Sequence, residues 1–435
     1  MILFALAAIL IFLAFYNFKA AVFSLPLFFV FFDMFDGFYK DDKIFAALRY
    51  FIPLALLLLY IIRHNALKNY DFVLVALIAY LGVLWIINSG DSLASTRNLL
   101  AIVITLLMIP LGKHFAQTTD FLKGFEKYNR VLLMTLPAYV VYANIFKIGE
   151  SYTEAFSTGY LITSRIYIIP IVVFLAIHYF LTNKDKTLLV KINDAVFMII
   201  NVCILLINTR RTALGMLFGA LFVYALLNRR LIFKMVGLTV FMVAALIFSY
   251  PLYEARLTAQ LEKRDRIQNL DTYEEEGRVL ETLYIMDYHE KTGSLLEVLF
   301  GVKFFDTDEF GTRYFGRDRP IHSDLNMIFF STGLFGFFLF AYCVVHYFFM
   351  GNHRIEKQAK VVYYPLLIMF LLVLLPGRFI GTLTFAPLLM LLLASIKFGI
   401  QSSPVPEPAE EIPLPREHNF FRVTPPPIKE LLPKP

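Results

Sequence analysis

Arg210 and Arg211 stand side by side in a short polar turn, Asn208 to Thr212, between two long apolar stretches. Arg278 lies inside a hydrophilic island, roughly Pro251 to Ile321, which closes on Arg313, Arg317 and Arg319 and ends at His322. Arg97, Arg165 and Arg378 each sit at the edge of a further apolar stretch. A guanidinium is a planar fork of donors that matches phosphate oxygens. Near a bilayer it costs roughly several kcal/mol unless it meets a partner, water or an anion. Any one of these arginines can also be a snorkelling residue at a helix end. As a set at one face they suit an anionic ligand, most simply a lipid phosphate or diphosphate. His322 adds an imidazole, which titrates near neutrality and suits proton transfer. A lone interfacial histidine is equally at home in a structural role.

The elements that must position these residues are apolar helices. The chain has 435 residues, 58% of them hydrophobic, and a mean hydropathy of +0.66, well above a soluble domain. Apolar runs long enough to span recur near 2–17, 20–33, 45–62, 71–88, 97–111, 131–146, 160–182, 192–209, 212–227, 231–250, 323–348, 361–377 and 380–399. This pattern predicts an all-α polytopic integral membrane protein with about 12 transmembrane helices (12–13) and one large, partly helical loop. Residues 2–17 lack the features of a cleaved signal peptide and are expected to be a retained span. The expected organisation is a transmembrane bundle over 1–250, the loop over 251–321, further transmembrane helices over 322–400, and a tail over 401–435. Half of the chain's 20 prolines lie in that tail, so it is expected to be disordered. Cys203 and Cys343 lie far apart in apolar spans and suggest neither a disulfide framework nor a metal site.

The formal charge is only +6, but the basic residues alternate along the chain. Loops around Arg63–Lys68, Lys113–Arg130, Lys184–Lys191, Arg229–Lys234 and His353–Lys360 are basic, whereas the loops between them are neutral or acidic. The positive-inside rule assigns the basic set and the C-terminus to the cytoplasm. The island and the arginine-bearing ends then face the opposite side, the periplasm in a Gram-negative host. No nucleic-acid partner is expected, and no internal repeat of the kind common in transporters is visible.

Within the island, Val279, Leu283 and Met286 fall at helical spacing, with Arg278 in the first turn and Gly293 placed as a C-cap. Ser294 to Gly301 is expected to be a short apolar element that packs the loop onto the membrane. Ser323 or Asp324 can cap the helix after His322, and Gly333 and Gly336 allow a close neighbour.

Asn208-Thr-Arg-Arg-Thr-Ala-Leu214 at a short turn, Gly277-Arg278 in a long loop, and His322 followed by Gly333 and Gly336 occur here in that order. In this arrangement the chain resembles the bacterial O-antigen polymerase and O-antigen ligase family, over roughly residues 160 to 345. The resemblance implies a metal-independent membrane glycosyltransferase of the bacterial inner membrane that needs no cofactor. Its donor would be an undecaprenyl-diphosphate-linked glycan, with a saccharide or lipid A-core as acceptor and membrane lipid around it. It implies His322 as general base, with Arg210 or Arg211 and Arg278 on the diphosphate. Arg97, Arg165, Arg319 and Arg378 are further candidate substrate-binding residues. Many ligases carry an asparagine after the histidine, and this chain has Ser323-Asp324, which leans towards a polymerase. A ligase and a non-enzymatic lipid-linked sugar transporter are the alternatives.

Overall fold

A backbone in an apolar surround must satisfy its own hydrogen bonds, and the sequence does so with helices. In the computed structural model no β-strand occurs among the described residues. These are 2–39, 43–68, 71–90, 92–149, 156–183, 186–208, 210–237, 277–316, 320–375 and 379–399, with scattered positions between 240 and 258. The helices are α1 (Ile2–Tyr16), α2 (Phe18–Phe35), α3 (Lys43–Arg63), α4 (Phe72–Asn88), α5 (Ser92–Thr118), α6 (Phe121–Ile145), α7 (Ile168–Thr182), α8 (Leu188–Ile207) and α9 (Arg211–Leu227). The loop contributes α10 (Gly277–Thr292), α11 (Leu295–Phe300) and α12 (Asp308–Phe315); then follow α13 (Asp324–Val344), α14 (Lys357–Leu374) and α15 (Ala386–Lys397).

The expectation of about twelve spans is corrected here. Among the described residues, six helices are long and apolar enough to cross a membrane: Phe18–Phe35, Leu93–Thr118, Arg165–Thr182, Leu188–Ile207, Asp324–Arg354 and Lys357–Leu374. Apolar sequence marks burial in protein as well as exposure to lipid, and several runs are shorter than a bilayer requires. The run 380–399 divides into a turn and the 12-residue α15, in which every residue from Ala386 to Ile396 is buried. Helices α1, α4 and α9 reach only 15, 17 and 17 residues. The longer α6 opens on Lys123, Glu126, Lys127 and Arg130. The expected span 231–250 lies partly outside the described residues, as do the whole tail 401–435 and the first part of the island.

Helix α15 is the hub. It packs along α5 and beside α14, while α14 packs along α9. At Gly112 of α5 an added Cβ would lie 2.8 Å from the Ala394 Cβ and 2.9 Å from the Leu391 carbonyl, so the absent side chain sets the closeness of that contact.

Polar ties sort the helix ends into two sets. At one end, fully buried Asp71 accepts from Lys113 Nζ and, at 2.7 Å, from the Tyr347 hydroxyl, joining α4, α5 and the end of α13. Arg130 pairs with Asp194 at 2.9 Å, and Lys186 with Glu126 at 2.7 Å. The basic loop residues belong to this end. At the other end, which carries His322, Asp33 pairs with Arg49 and accepts from the Thr384 hydroxyl. Lys113, Arg130 and Lys186 of the basic loops are thus tied to buried acids at the end away from His322.

Helix α13 is broken inside. Gly333 has φ 67° and ψ −173°, which only glycine adopts readily. The break releases backbone carbonyls, and two of them take donors from outside the helix. The Tyr80 hydroxyl donates to the Thr332 carbonyl at 2.7 Å, and the Val302 N–H donates to the Phe330 carbonyl at 2.9 Å. The backbone of α11 lies directly against the break, so a Cβ on Gly333 would sit 2.3 Å from Leu299 backbone atoms. Gly336 faces the Tyr80 ring of α4. Both glycines thus accept a close neighbour, as their spacing suggests; for Gly333 that neighbour is the loop itself.

Gly333→Ala is expected to cost at least about 1–3 kcal/mol from the backbone conformation alone, and more from the clash with α11. Gly82, with open space around its Cβ position, should tolerate alanine or gain slightly. Thermal unfolding of the two variants in detergent, with limited proteolysis of the loop, tests the contrast: equal stability would refute the role given to the break.

Candidate functional site

The loop segment Gly301–Asp306 carries no regular structure, and side chains of α4 and α5 satisfy its backbone. The Asn88 side-chain amide donates to the Gly301 and Val302 carbonyls, while the Asn88 backbone carbonyl accepts from Phe304 N–H at 2.9 Å. Ser95 donates to the Phe304 carbonyl and Asn98 to that of Phe305. Arg97 lies between these two α5 residues, half-buried, at the same end of the bundle as His322.

Above this seat a small separate core joins α10 and α12 to the start of α13. Ile285, Phe310, Ile321 and Phe330 are buried together, with Tyr284, Tyr288 and Tyr314 packed around them. Gly293 ends α10 with φ 60°, as its position suggests. The buried face of α10 differs from the expected one. Leu283 and Met286 are 43% and 61% exposed, whereas Glu281 and Ile285 are buried. The spacing of apolar residues misled because the partner of this helix offers polar groups beside apolar ones, so the covered face carries Glu281 as well as Ile285.

That partner is the start of α13. Glu281 has no exposed surface, while the His322 side chain is 38% exposed. His322 Nδ1 lies 3.0 Å from Glu281 Oε1. The backbone N–H groups of His322 and Ser323 donate to Glu281 Oε2 at 3.0 and 3.4 Å. One turn on, Thr282 and Asn326 form a second tie between the two helices. Ser323 takes the N-cap position of α13 without a side-chain cap bond. Asp324 is turned instead to the chain after α14, where it accepts from Phe379 N–H at 2.6 Å and Ile380 N–H at 3.0 Å. An apolar cavity lined by Leu77, Leu81, Ile102, Ile328, Phe340 and Ile380 lies next to this anchor.

The arginines divide. Arg210 is the N-cap of α9 and half-buried, and Arg211, the first residue of that helix, is exposed. Antiparallel packing places Gly219 of α9 against Leu372 and Ile368 of α14. The start of α9, roughly 12 Å further along at 1.5 Å per residue, is then level with the turn after α14. Arg165 is engaged within the chain: it pairs with Asp36 at 2.7 Å and donates to the Tyr160 carbonyl at 3.3 Å. Ser164 beside it shares a hydrogen bond with Thr382 at 2.9 Å. Arg278 is the second residue of α10, three positions before Glu281; its side chain lies outside the described residues, as do Arg319 and Arg378 altogether. Their neighbours Ile321 and Phe379 are both buried at this end.

The structure therefore brings His322, Arg97, Arg165 and the Arg210–Arg211 turn to one end of the bundle, with Arg165 committed to an internal ion pair. Sequence reasoning missed Glu281. Its one signal is the interval of three from Arg278, which puts the two positions on one helix face. Comparison with protein-family models, curated proteins and solved structures finds no match for this chain.

The loop core contains one group whose ionisation opposes its packing. Both ring nitrogens of His289 are buried without a hydrogen-bond partner among the described residues. Burial holds its pKa below the ordinary value, with Glu297 partly opposing. A histidine with a depressed folded-state pKa stabilises the fold above its unfolded value, near 6.5, and that contribution is lost as the pH falls below it. Hydrogen exchange across α10–α12, corrected for intrinsic rates, should accelerate between about pH 7.5 and 5.5. His289→Phe should flatten that dependence; an unchanged dependence in the variant would locate the effect elsewhere.

Proposed function

We propose that this protein is an integral-membrane glycosyltransferase that acts at the His322 end of its bundle on a lipid-diphosphate-linked glycan. The observation that carries the reading is the placement at one end of half-exposed His322, whose ring is held by a buried carboxylate, and of helix starts that bear Arg97, Arg210 and Arg211. Glycosyl transfer from a diphosphate needs charge stabilisation on the departing group and a base for the incoming hydroxyl. Arg210, Arg211 and Arg278 supply the first. His322 supplies the second: its imidazole takes the proton as the acceptor oxygen bonds to the anomeric carbon and the bond to the diphosphate breaks. The charge pattern of the loops supports placing this end on the periplasmic side of a bacterial inner membrane.

The acceptor we propose is the end of another lipid-linked glycan, so that the enzyme polymerises repeat units. Lipid A-core as acceptor would make it a ligase. The break in α13 at Gly333 favours a second reading, a transporter of lipid-linked sugars, because interrupted helices recur at transport sites.

Purified protein in nanodiscs, supplied with a lipid-diphosphate glycan and varied acceptors, separates these readings. Transfer is expected, with His322→Ala slowing it on the order of 10²–10⁴-fold. Arg210→Ala, at the half-buried position, should cost more than Arg211→Ala, on the order of 10²–10³-fold. Full activity in His322→Ala would remove the base assignment. Translocation across vesicles without any transfer would favour the transporter.

A further inference from the structure

We infer that Glu281 is the positioning residue of the His322 base: it holds Nδ1 as an N–H donor and so leaves Nε2 to take the acceptor's proton. This rests on the reading of His322 as general base, but the pairing itself is testable without it. Burial sets the first constraint. A carboxylate with no exposed surface must be satisfied inside the protein, and both Glu281 oxygens are engaged. Oε2 accepts two backbone N–H groups, from His322 and Ser323. Those donors cannot be exchanged for anything else, so they fix the orientation of the carboxylate. Oε1 is thereby aimed at His322 Nδ1, 3.0 Å away.

One proton is shared between Oε1 and Nδ1. The two N–H donors on Oε2 favour the ionised carboxylate, which makes Oε1 an acceptor as well, so the proton resides on Nδ1. In a neutral ring the other nitrogen then carries the lone pair. Asp324, the nearest acid on α13, does not compete, because its oxygens accept from Phe379 and Ile380 N–H. The Thr282–Asn326 tie fixes α10 against α13 independently of the ring. Glu281 also stands on the same rigid helix as Arg278, one turn further on. The element that carries a diphosphate-binding candidate therefore also orients the base.

Glu281→Gln is the discriminating change. The two backbone N–H groups will claim the amide oxygen, which turns the NH₂ group towards Nδ1. An NH₂ group there stabilises the ring with Nδ1 bare and Nε2 protonated, the tautomer that cannot accept a proton at the reacting side. Full-length protein with ¹⁵N-labelled histidine, reconstituted in lipid, reports the tautomer directly; the His322 signal is assigned by its loss in His322→Ala. The wild-type ring is expected to be the Nδ1–H form above neutral pH, and Glu281→Gln the Nε2–H form. Transfer activity should fall on the order of 10²–10⁴-fold, mainly in kcat, as when a triad carboxylate is replaced by its amide. Asn326→Ala, which removes the other tie between the same helices, should keep both the tautomer and most of the rate.

A wild-type ring in the Nε2–H form overturns the inference without any variant. So does a Glu281→Gln protein that keeps full transfer activity, or one that loses activity with the tautomer unchanged. If instead the tautomer switches while His322→Ala remains fully active, the pairing stands and the proposed reaction fails.

Discussion

A helix interrupted inside an apolar bundle must find partners for the backbone groups that the interruption releases. In this chain that requirement falls on α13 at Gly333, and the loop meets it. Val302 N–H and the Tyr80 hydroxyl take the carbonyls of Phe330 and Thr332. To deliver Val302, the irregular segment 301–306 must descend onto α4 and α5, where Asn88, Ser95 and Asn98 satisfy its own backbone. Helix α11 then lies flat on Gly333, the Phe310–Ile321–Phe330 core closes above it, and α10 is brought against the start of α13. Only in that position does Glu281 reach His322. The geometry of the candidate base thus descends from a single glycine conformation.

Buried ion pairs impose a second constraint on the same end. Asp33 holds Arg49 and Thr384, and Arg165 with Asp36 adjoins them, so α2, α3, the approach to α7 and the approach to α15 are fixed in one register. Removing one partner of such a pair strands a buried charge, at about 3–5 kcal/mol, although the intact pair itself adds little net stability. Its contribution is specificity of arrangement. It also decides the fate of Arg165, whose guanidinium serves the fold, and shifts weight in the proposed anion site to the arginines at the starts of α5, α9 and α10.

Much of this end was legible in the sequence where a residue's role follows from its own chemistry. Gly333 and Gly336 mark a close approach, Gly293 a helix end, and His322 a polar group at a membrane boundary. What escaped were properties that belong to pairs. Glu281 looks like one more acid on a solvated loop helix until the start of α13, forty residues away, is placed against it. Asp33 and Arg49 look like boundary charges until they meet. The span count erred for a related reason: the apolar residues of α15 are buried by protein on all sides, and hydropathy does not distinguish that surround from lipid. Leu283 and Met286 misled for a different reason: they are exposed, and the covered face of their helix carries Glu281 and Ile285.

The acids at the His322 end bear on its electrostatics as a group. Among the described residues, Asp33 and Asp36 are held by Arg49 and Arg165, Glu281 by the histidine and two backbone N–H groups, Asp324 by two more, and Asp287 by Lys291 and Tyr314. Each carboxylate is thereby neutralised locally, through a cation or through peptide dipoles aimed at it. The starts of α5, α9 and α10 carry arginines whose positive charge is reinforced by the helix N-termini on which they stand. Other acids of the loop stay at the surface: Glu290 and Asp308 are exposed, and Glu309 is exposed beside Lys303. A positive potential at this end is therefore confined to the helix starts that carry arginines and does not extend over the loop. For an anion of the proposed kind those helix starts, and not the face as a whole, are the attractive feature.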